Sequence, residues 1–231
     1  MKSLTTFFRR ALALLLSVTV LAALVACDRP RVRDRYLLTY FNTETILQDY
    51  SGSSEADFNR RASRVEEIFD YYHKLFDIYN EYSGMNNIAT LNRLAGEGPV
   101  SVPSELIDFL IFCKNMHEIT GGEVNVAMGA VLSIWHEHRT AEGEKTLPDM
   151  QELLAAAEHC DINDLVIDES AGTVELCDTE MQLDVGAIAK GYAVEQVALW
   201  MKEQGMDGYI LNVGGNVRII GNKPDGEKWT V

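Results

Sequence analysis

Through residues 55–80, apolar side chains return at intervals of three and four, so that Val65, Ile68, Phe69, Tyr72, Leu75, Phe76 and Tyr79 share one face of a helix. His73 falls off that stripe and is assigned to solvent. A loop with Gly84, Asn86 and Asn87 follows. A second helix opens at Pro103, whose fixed φ suits a first turn. It carries Leu106, Phe109, Leu110 and Cys113 inward and stops at Gly121-Gly122. A third starts at Thr146-Leu147-Pro148-Asp149 and runs through Leu153 and Leu154 toward His159. Residues 36–47 read as an opening strand region. Later the period drops to two. Residues 165–167 and 173–176 flank a turn at Ser170-Ala171-Gly172 as a hairpin, and 181–184 reads as a further strand. Residues 188–204 form a helix capped by Gly205, and 209–213 and 216–220 are strands around Gly214-Gly215.

Helices first and hairpins afterwards, with one helix between strands, predict the α+β class: a layered domain of helices on antiparallel sheet rather than a doubly wound fold. No internal repeat or low-complexity linker interrupts it. The turn at Lys223-Pro224-Asp225-Gly226 announces a strand at Trp229-Thr230-Val231 that has barely begun at the last residue, which suggests a truncated protein.

The N-terminus departs from this pattern. Lys2, Arg9 and Arg10 precede an uncharged apolar run, residues 11–26, shorter than the about 20 residues a spanning helix needs. The run ends in Leu24-Val25-Ala26-Cys27, which resembles a bacterial lipobox. Residues 1–26 are therefore expected to be a lipoprotein signal peptide, with Cys27 the lipidated mature N-terminus and 27–36 a tether bearing Arg29, Arg31, Arg33 and Arg35. The expected location is the cell membrane, lipid-anchored, on its extracytoplasmic face.

Composition narrows the function. With 47% hydrophobic and 24% charged residues the chain is a folding one, and a formal charge of −15 excludes nucleic acid as a partner. Cleavage before Cys27 takes away three cations and no anion, leaving −18. Anionic lipid repels such a surface, so attachment would rest on acyl chains. Four Cys are too few for a disulfide scaffold. Cys113 sits among Leu110, Ile111 and Phe112 as a buried thiol, and a Cys160–Cys177 pairing stays open.

The most informative segment is Leu183-Asp184-Val185-Gly186-Ala187-Ile188-Ala189-Lys190-Gly191-Tyr192. It leads from a carboxylate at a strand end through a Gly turn into a helix whose first turn holds a lysine. A cation there has the unfavourable sign for the helix dipole, by about 0.3–1 kcal/mol, so an anionic ligand is one explanation. A capping Asp beside a snorkelling surface Lys is the other. Neither a P-loop nor G-x-G-x-x-G occurs. His136 and His138 lack a third ligand at zinc spacing, and no nucleophile motif supports a hydrolase triad.

With Asn212-Val213-Gly214-Gly215-Asn216-Val217, Thr120-Gly121-Gly122-Glu123-Val124-Asn125 and Gly129-Ala130-Val131-Leu132-Ser133-Ile134-Trp135, this segment resembles the ApbE family of FAD:protein FMN transferases, in order from about Tyr40 to the last residue. The resemblance implies a T-fold-like domain over 37–231 whose C-terminal part is missing. It also implies Mg²⁺-dependent transfer of FMN from FAD, the substrate, to a Thr or Ser hydroxyl of a partner protein, with release of AMP. That acceptor would be a flavoprotein subunit, for instance of a membrane redox complex. Asp184 and Lys190 would contact FAD, and Ala187 would offer Mg²⁺ its main-chain oxygen. Trp135, His136 and Glu137 align with the family's Trp-Gly-Phe flavin stretch, of which only the Trp is kept. Phe41-Asn42-Thr43 stands where the family has Met-Gly-Thr, making Phe41 a flavin contact; Asn87 aligns with a variable cofactor-contacting position on the loop before Leu91-Asn92, stabilisation of that loop being its other reading, and Asn125 replaces an Asp. The family's remaining Mg²⁺ ligands and its His-Ile-x-x-Pro-x-x-Gly stretch do not occur, and no general base is assigned. A flavin-binding lipoprotein and an FAD pyrophosphatase without a protein acceptor are the alternatives.

Overall fold

The computed structural model describes residues 32–141, 143 and 146–229. The expected signal peptide, lipidated Cys27, the first half of the tether and the last two residues of the expected final strand lie outside them. Strands β1 (Arg33–Tyr40) and β2 (Thr43–Asp49) form a hairpin, followed by helices α1 (Glu55–Leu75) and α2 (Ile88–Arg93), the short β3 (Val100–Ser101) and α3 (Ser104–Ile119). Then come α4 (Gly129–Thr140), α5 (Met150–Ala157), the hairpin β4 (Leu165–Asp168) and β5 (Thr173–Leu176), α6 (Ala189–Glu203), and the hairpin β6 (Tyr209–Val213) and β7 (Asn216–Ile220). Two antiparallel sheets result, in the orders β1-β2-β6-β7 and β3-β5-β4. The fold is α+β, as the order of periods predicts.

Alternation places the core. On β2, Thr45, Leu47 and Asp49 are buried, and their partners across the ladder on β6, Val213, Leu211 and Tyr209, are buried with them. α1 and α6 cover this face and pack on each other, burying Phe58, Ala62, Val65 and Phe69 from one and Ala193, Val194, Val197 and Met201 from the other. Asp49 is the one fully buried carboxylate among the described residues. It accepts hydrogen bonds from Ser51 N–H at 2.7 Å, Ser51 Oγ at 2.6 Å and Ser53 Oγ, so its burial is compensated.

Three expectations need correction, and the cysteine pairing left open is decided. Residues 36–47 are two strands turning at Phe41-Asn42, both in the left-handed region at φ 53° and 54°. The first helix ends at Leu75 rather than near residue 80, because Asp77 accepts the Tyr79 and Asn80 amides and closes a turn instead. The expected strand at 181–184 is irregular apart from a parallel bridge, Met128 to Gln182. Cys160 and Cys177 are both free thiols. Two helices, α2 and α4, appear where the hydrophobic period predicts none.

Candidate functional site

Asp184 stands between two buried neighbours, Leu183 and Val185, so the alternation that anchors them turns its carboxylate outward. The backbone is clamped on both sides. Asn92 of α2 accepts Leu183 N–H at 2.7 Å and donates to Leu183 C=O at 3.0 Å, imitating a neighbouring strand, while Asp184 N–H reaches Val126 C=O at 2.8 Å. Its Oδ1 accepts Gly186 N–H at 2.9 Å, and Oδ2 lies 3.4 Å from His136 Nε2. Arg139 donates to His136 Nδ1 at 2.5 Å. A guanidinium has no acceptor, so Nδ1 holds the lone pair and Nε2 carries the proton toward Asp184.

The chain then turns through Gly186 and Ala187 into α6. Ile188 at its N-cap offers no side-chain bond, and Lys190 follows at the second helical position. Among the described residues no ion pair or hydrogen bond engages the Lys190 ammonium. Ile188 and Ala189 N–H donate to Val185 C=O at 3.0 and 2.8 Å, which leaves the Lys190 and Gly191 amides beside the lysine side chain as a seat for an anion such as a phosphate.

Asp184, Gly186, Ala189 and Lys190 line one side of a cleft of about 250 Å³, faced by Phe41, Asn42, His73, Phe76, Asp77, Ile78 and Tyr79. A second hollow of about 340 Å³ shares Ile78, Tyr79, His136 and Asp184 with it and continues past Asn92, Gly129, Ser133 and Glu137. The two meet over the His136–Asp184 pair. Phe41, His73, Phe76 and Tyr79 make part of the lining aromatic, and Asp184 and Lys190 make part of it charged. Burial pushes the Asp77 carboxyl up, yet hydrogen bonds from Asn80, Tyr79 and Tyr82 overcome this and hold it below its ordinary range.

The ApbE family model matches residues 39–231. The chain belongs to the ApbE family. It is 27% identical over 170 residues to the FAD:protein FMN transferase of Klebsiella pneumoniae (strain 342), covering 74% of this chain and 50% of that protein. It is 27% identical over 218 residues to the protein of that name from Treponema pallidum (strain Nichols), covering 89% and 57%. The chain thus spans about half the length of these ApbE relatives. Among solved structures, the flavin transferase ApbE of Vibrio cholerae superposes with a TM-score of 0.74 at 20% identity, over 87% of this chain and 63% of that one. An ApbE protein of Thermotoga maritima gives 0.71 at 21%, over 85% and 61%. These likenesses establish the ApbE fold.

Within that fold the expected site residues separate. Phe41, His136, Asp184 and Lys190 line the first cleft, and Glu137 joins the second hollow. Trp135 lines neither; it is 43% exposed on α4, which also removes it from the core. Asn87 is fully buried. Its Oδ1 caps α2 at Thr90 N–H, and Nδ2 donates to the carbonyls of Lys74 and Asn80 at 2.9 and 2.8 Å. That side chain is engaged by the loop and by the start of α2. Asn125 is likewise structural, bonded to Cys160 C=O and Ala127 N–H.

Ala187 sits exposed on the turn. Mg²⁺ takes six oxygens in a near-octahedron. Among the described residues no group of three or more His, Cys, Asp or Glu is placed to hold a metal. The described residues do not fit a complete Mg²⁺ site, and no step below runs through the ion.

Sequence patterning missed His73, Tyr79 and Asn92. His73 is not solvent-facing; it is half-buried in the cleft wall, edge-on to Phe41 with centroids 5.5 Å apart. Tyr79, counted on the helix stripe, lies beyond the helix, 67% exposed at the cleft rim. A signal existed for Tyr79 only: the Asp77 side chain two residues ahead of it is a helix stop.

Proposed function

We propose that this cleft binds FAD and that the protein transfers FMN from it to a Thr or Ser hydroxyl of a partner protein, releasing AMP. The observation that carries the reading is the Lys190 ammonium, unpaired among the described residues, at the uncapped start of α6 and beside a fixed Asp184, in a cleft lined in part by aromatic side chains. In the transfer the acceptor oxygen bonds to the phosphorus of the FMN half. The bond from that phosphorus to the bridging oxygen breaks, AMP takes the bond's electron pair, and the proton of the hydroxyl passes to solvent water. Negative charge grows on phosphate oxygens along this path, and a preorganised ammonium with helix amides stabilises it at the moment it develops. His136 and Gly186 hold Asp184 in one rotamer, so that its free edge can orient a ligand donor.

The acceptor fits a flavoprotein subunit of a membrane redox complex if the lipid anchor at Cys27 is formed, since anchoring keeps donor and acceptor on the same surface. The test is to incubate the chain with FAD and a Thr-containing acceptor, following AMP and covalent flavin fluorescence on the denatured acceptor. Both products in equal amounts support the transferase. AMP without labelled acceptor would make the protein a pyrophosphatase, and tight FAD without AMP a flavin carrier.

A further inference from the structure

His73, in the last turn of α1, is a titratable side chain of the cleft wall to which the transfer assigns no task. Its Nδ1 lies 3.4 Å from Phe41 N–H. A backbone amide only donates, so Nδ1 holds the lone pair and the proton of the neutral ring sits on Nε2. Among the described residues no hydrogen bond takes up Nε2. The ring is held in one plane, edge-on to Phe41 at 82° and to Tyr40 at 68°. Phe41 and Asn42, the turn it latches, both occupy the left-handed region without being glycine. This is the two-residue type I′ connection that suits a twisted hairpin, with Tyr40 paired to Thr43 across it, and the His73 contact fixes its place in the cleft wall.

We infer that His73 is a ligand-binding residue: its Nε2–H donates to an acceptor atom on the edge of the ligand's flat heteroaromatic ring, while its Nδ1 holds the Phe41-Asn42 turn against the same ring. The ring is favoured over the phosphates because the side chains around His73 are aromatic, Tyr40 and Phe41, with Phe76 in the same wall. The phosphate-seating cation, Lys190, belongs to the first turn of α6. A flat ring packs on such side chains, and a phosphate does not. The inference rests on the flavin reading and adds to it a residue whose two nitrogens have separate duties.

Two measurements on the full chain test it. In nitrogen-15 histidine spectra, His73 should show the Nε2–H tautomer; an Nδ1–H tautomer overturns the assignment. In titrations followed by flavin fluorescence, His73→Asn keeps an acceptor near Nδ1 but cannot reach the position of Nε2. It should bind FAD roughly tenfold more weakly, the worth of one hydrogen bond, with an unchanged unfolding midpoint and unchanged affinity for inorganic pyrophosphate. His73→Gln, whose amide reaches the Nε2 position, should recover part of the loss. His73→Asn binding FAD like wild type, an equal loss in both variants together with a lowered midpoint, or a loss that appears with pyrophosphate would each overturn it. Wild type without any FAD affinity would sink the flavin reading and this assignment together, an outcome distinct from a silent His73→Asn.

Discussion

Asn92 does for Leu183 what a neighbouring strand would do, and it does so from 91 residues away. Asn92→Ala leaves a half-buried N–H and C=O without partners, which costs about 1–3 kcal/mol. Urea unfolding should show a drop of that size, and FAD affinity should fall as well, because the residue after Leu183 is Asp184. Lys190→Ala should separate the two effects. Removing a cation from a helix N-terminus relieves an unfavourable dipole interaction of about 0.3–1 kcal/mol, so the unfolding midpoint should stay or rise slightly. FAD affinity should nevertheless fall roughly tenfold for the lost charge-assisted bond. A large drop in midpoint would make Lys190 a structural residue.

At the scale of elements, α4 is seated against the chain before Asp184 by a glycine. A Cβ on Gly129 would come within 2.6 Å of the Gln182 carbonyl carbon, and Gly129 N–H donates to Gln182 O at 3.0 Å. Backbone cannot step aside as a side chain does. Gly129→Ala should therefore destabilise by about 1–3 kcal/mol in chemical unfolding and open the 3.4 Å contact of His136 with Asp184. A second joint lies at the end of α5, where His159 Nδ1 meets Asp178 Oδ2 at 2.8 Å and Nε2 lies 3.6 Å from Glu180. The Asp178 hydrogen bond outweighs desolvation and holds His159 above its ordinary 6.5. Glu180 N–H, with help from His159, holds Asp178 below its ordinary 3.8. A raised histidine contributes stability below about pH 6.5 that is lost as pH rises through its folded value. A depressed aspartate contributes above about pH 3.8 and loses that contribution as pH falls through its lowered value. The joint is strongest between these limits. Thermal midpoints of wild type should decline on moving above pH 6.5, and Asp178→Asn should flatten that decline.

At the scale of the whole molecule, the cleft is assembled from the β1–β2 turn, the end of α1, one turn of α4 and the start of α6. Tertiary packing alone brings these together, so their affinity for FAD should vanish in the cooperative unfolding transition rather than before it. A net charge of −15 over the full sequence does not favour anionic lipid, so the proposed membrane attachment depends on the proposed anchor at Cys27. Cys27→Ser should move the protein from the membrane fraction to the soluble one; continued sedimentation with membranes would refute the anchor.

Local periodicity by itself determined the α+β class, the β4–β5 and β6–β7 hairpins, and α6 with Gly205 behind it, because each is specified by neighbours within a few residues. The Asp184 to Lys190 turn was legible for the same reason: strand, glycine and helix lie in one stretch of ten residues. What the sequence could not supply is what depends on distant partners. His73 off its apolar stripe reads as solvent-facing until β1 and β2 fold over the end of α1 and bring Phe41 N–H to it. Residues 181–184 have strand-like alternation, yet α2 and α4 reach them first, and Asn92 and Gly129 take the hydrogen bonds that a neighbouring strand would have taken. Asn87 and Trp135 align with flavin-contacting positions, and it is burial that assigns one to the loop it caps and exposure that places the other outside the cleft. Alignment carries residue type and order, whereas a contact requires a surface, and the surface exists only once the layers have packed.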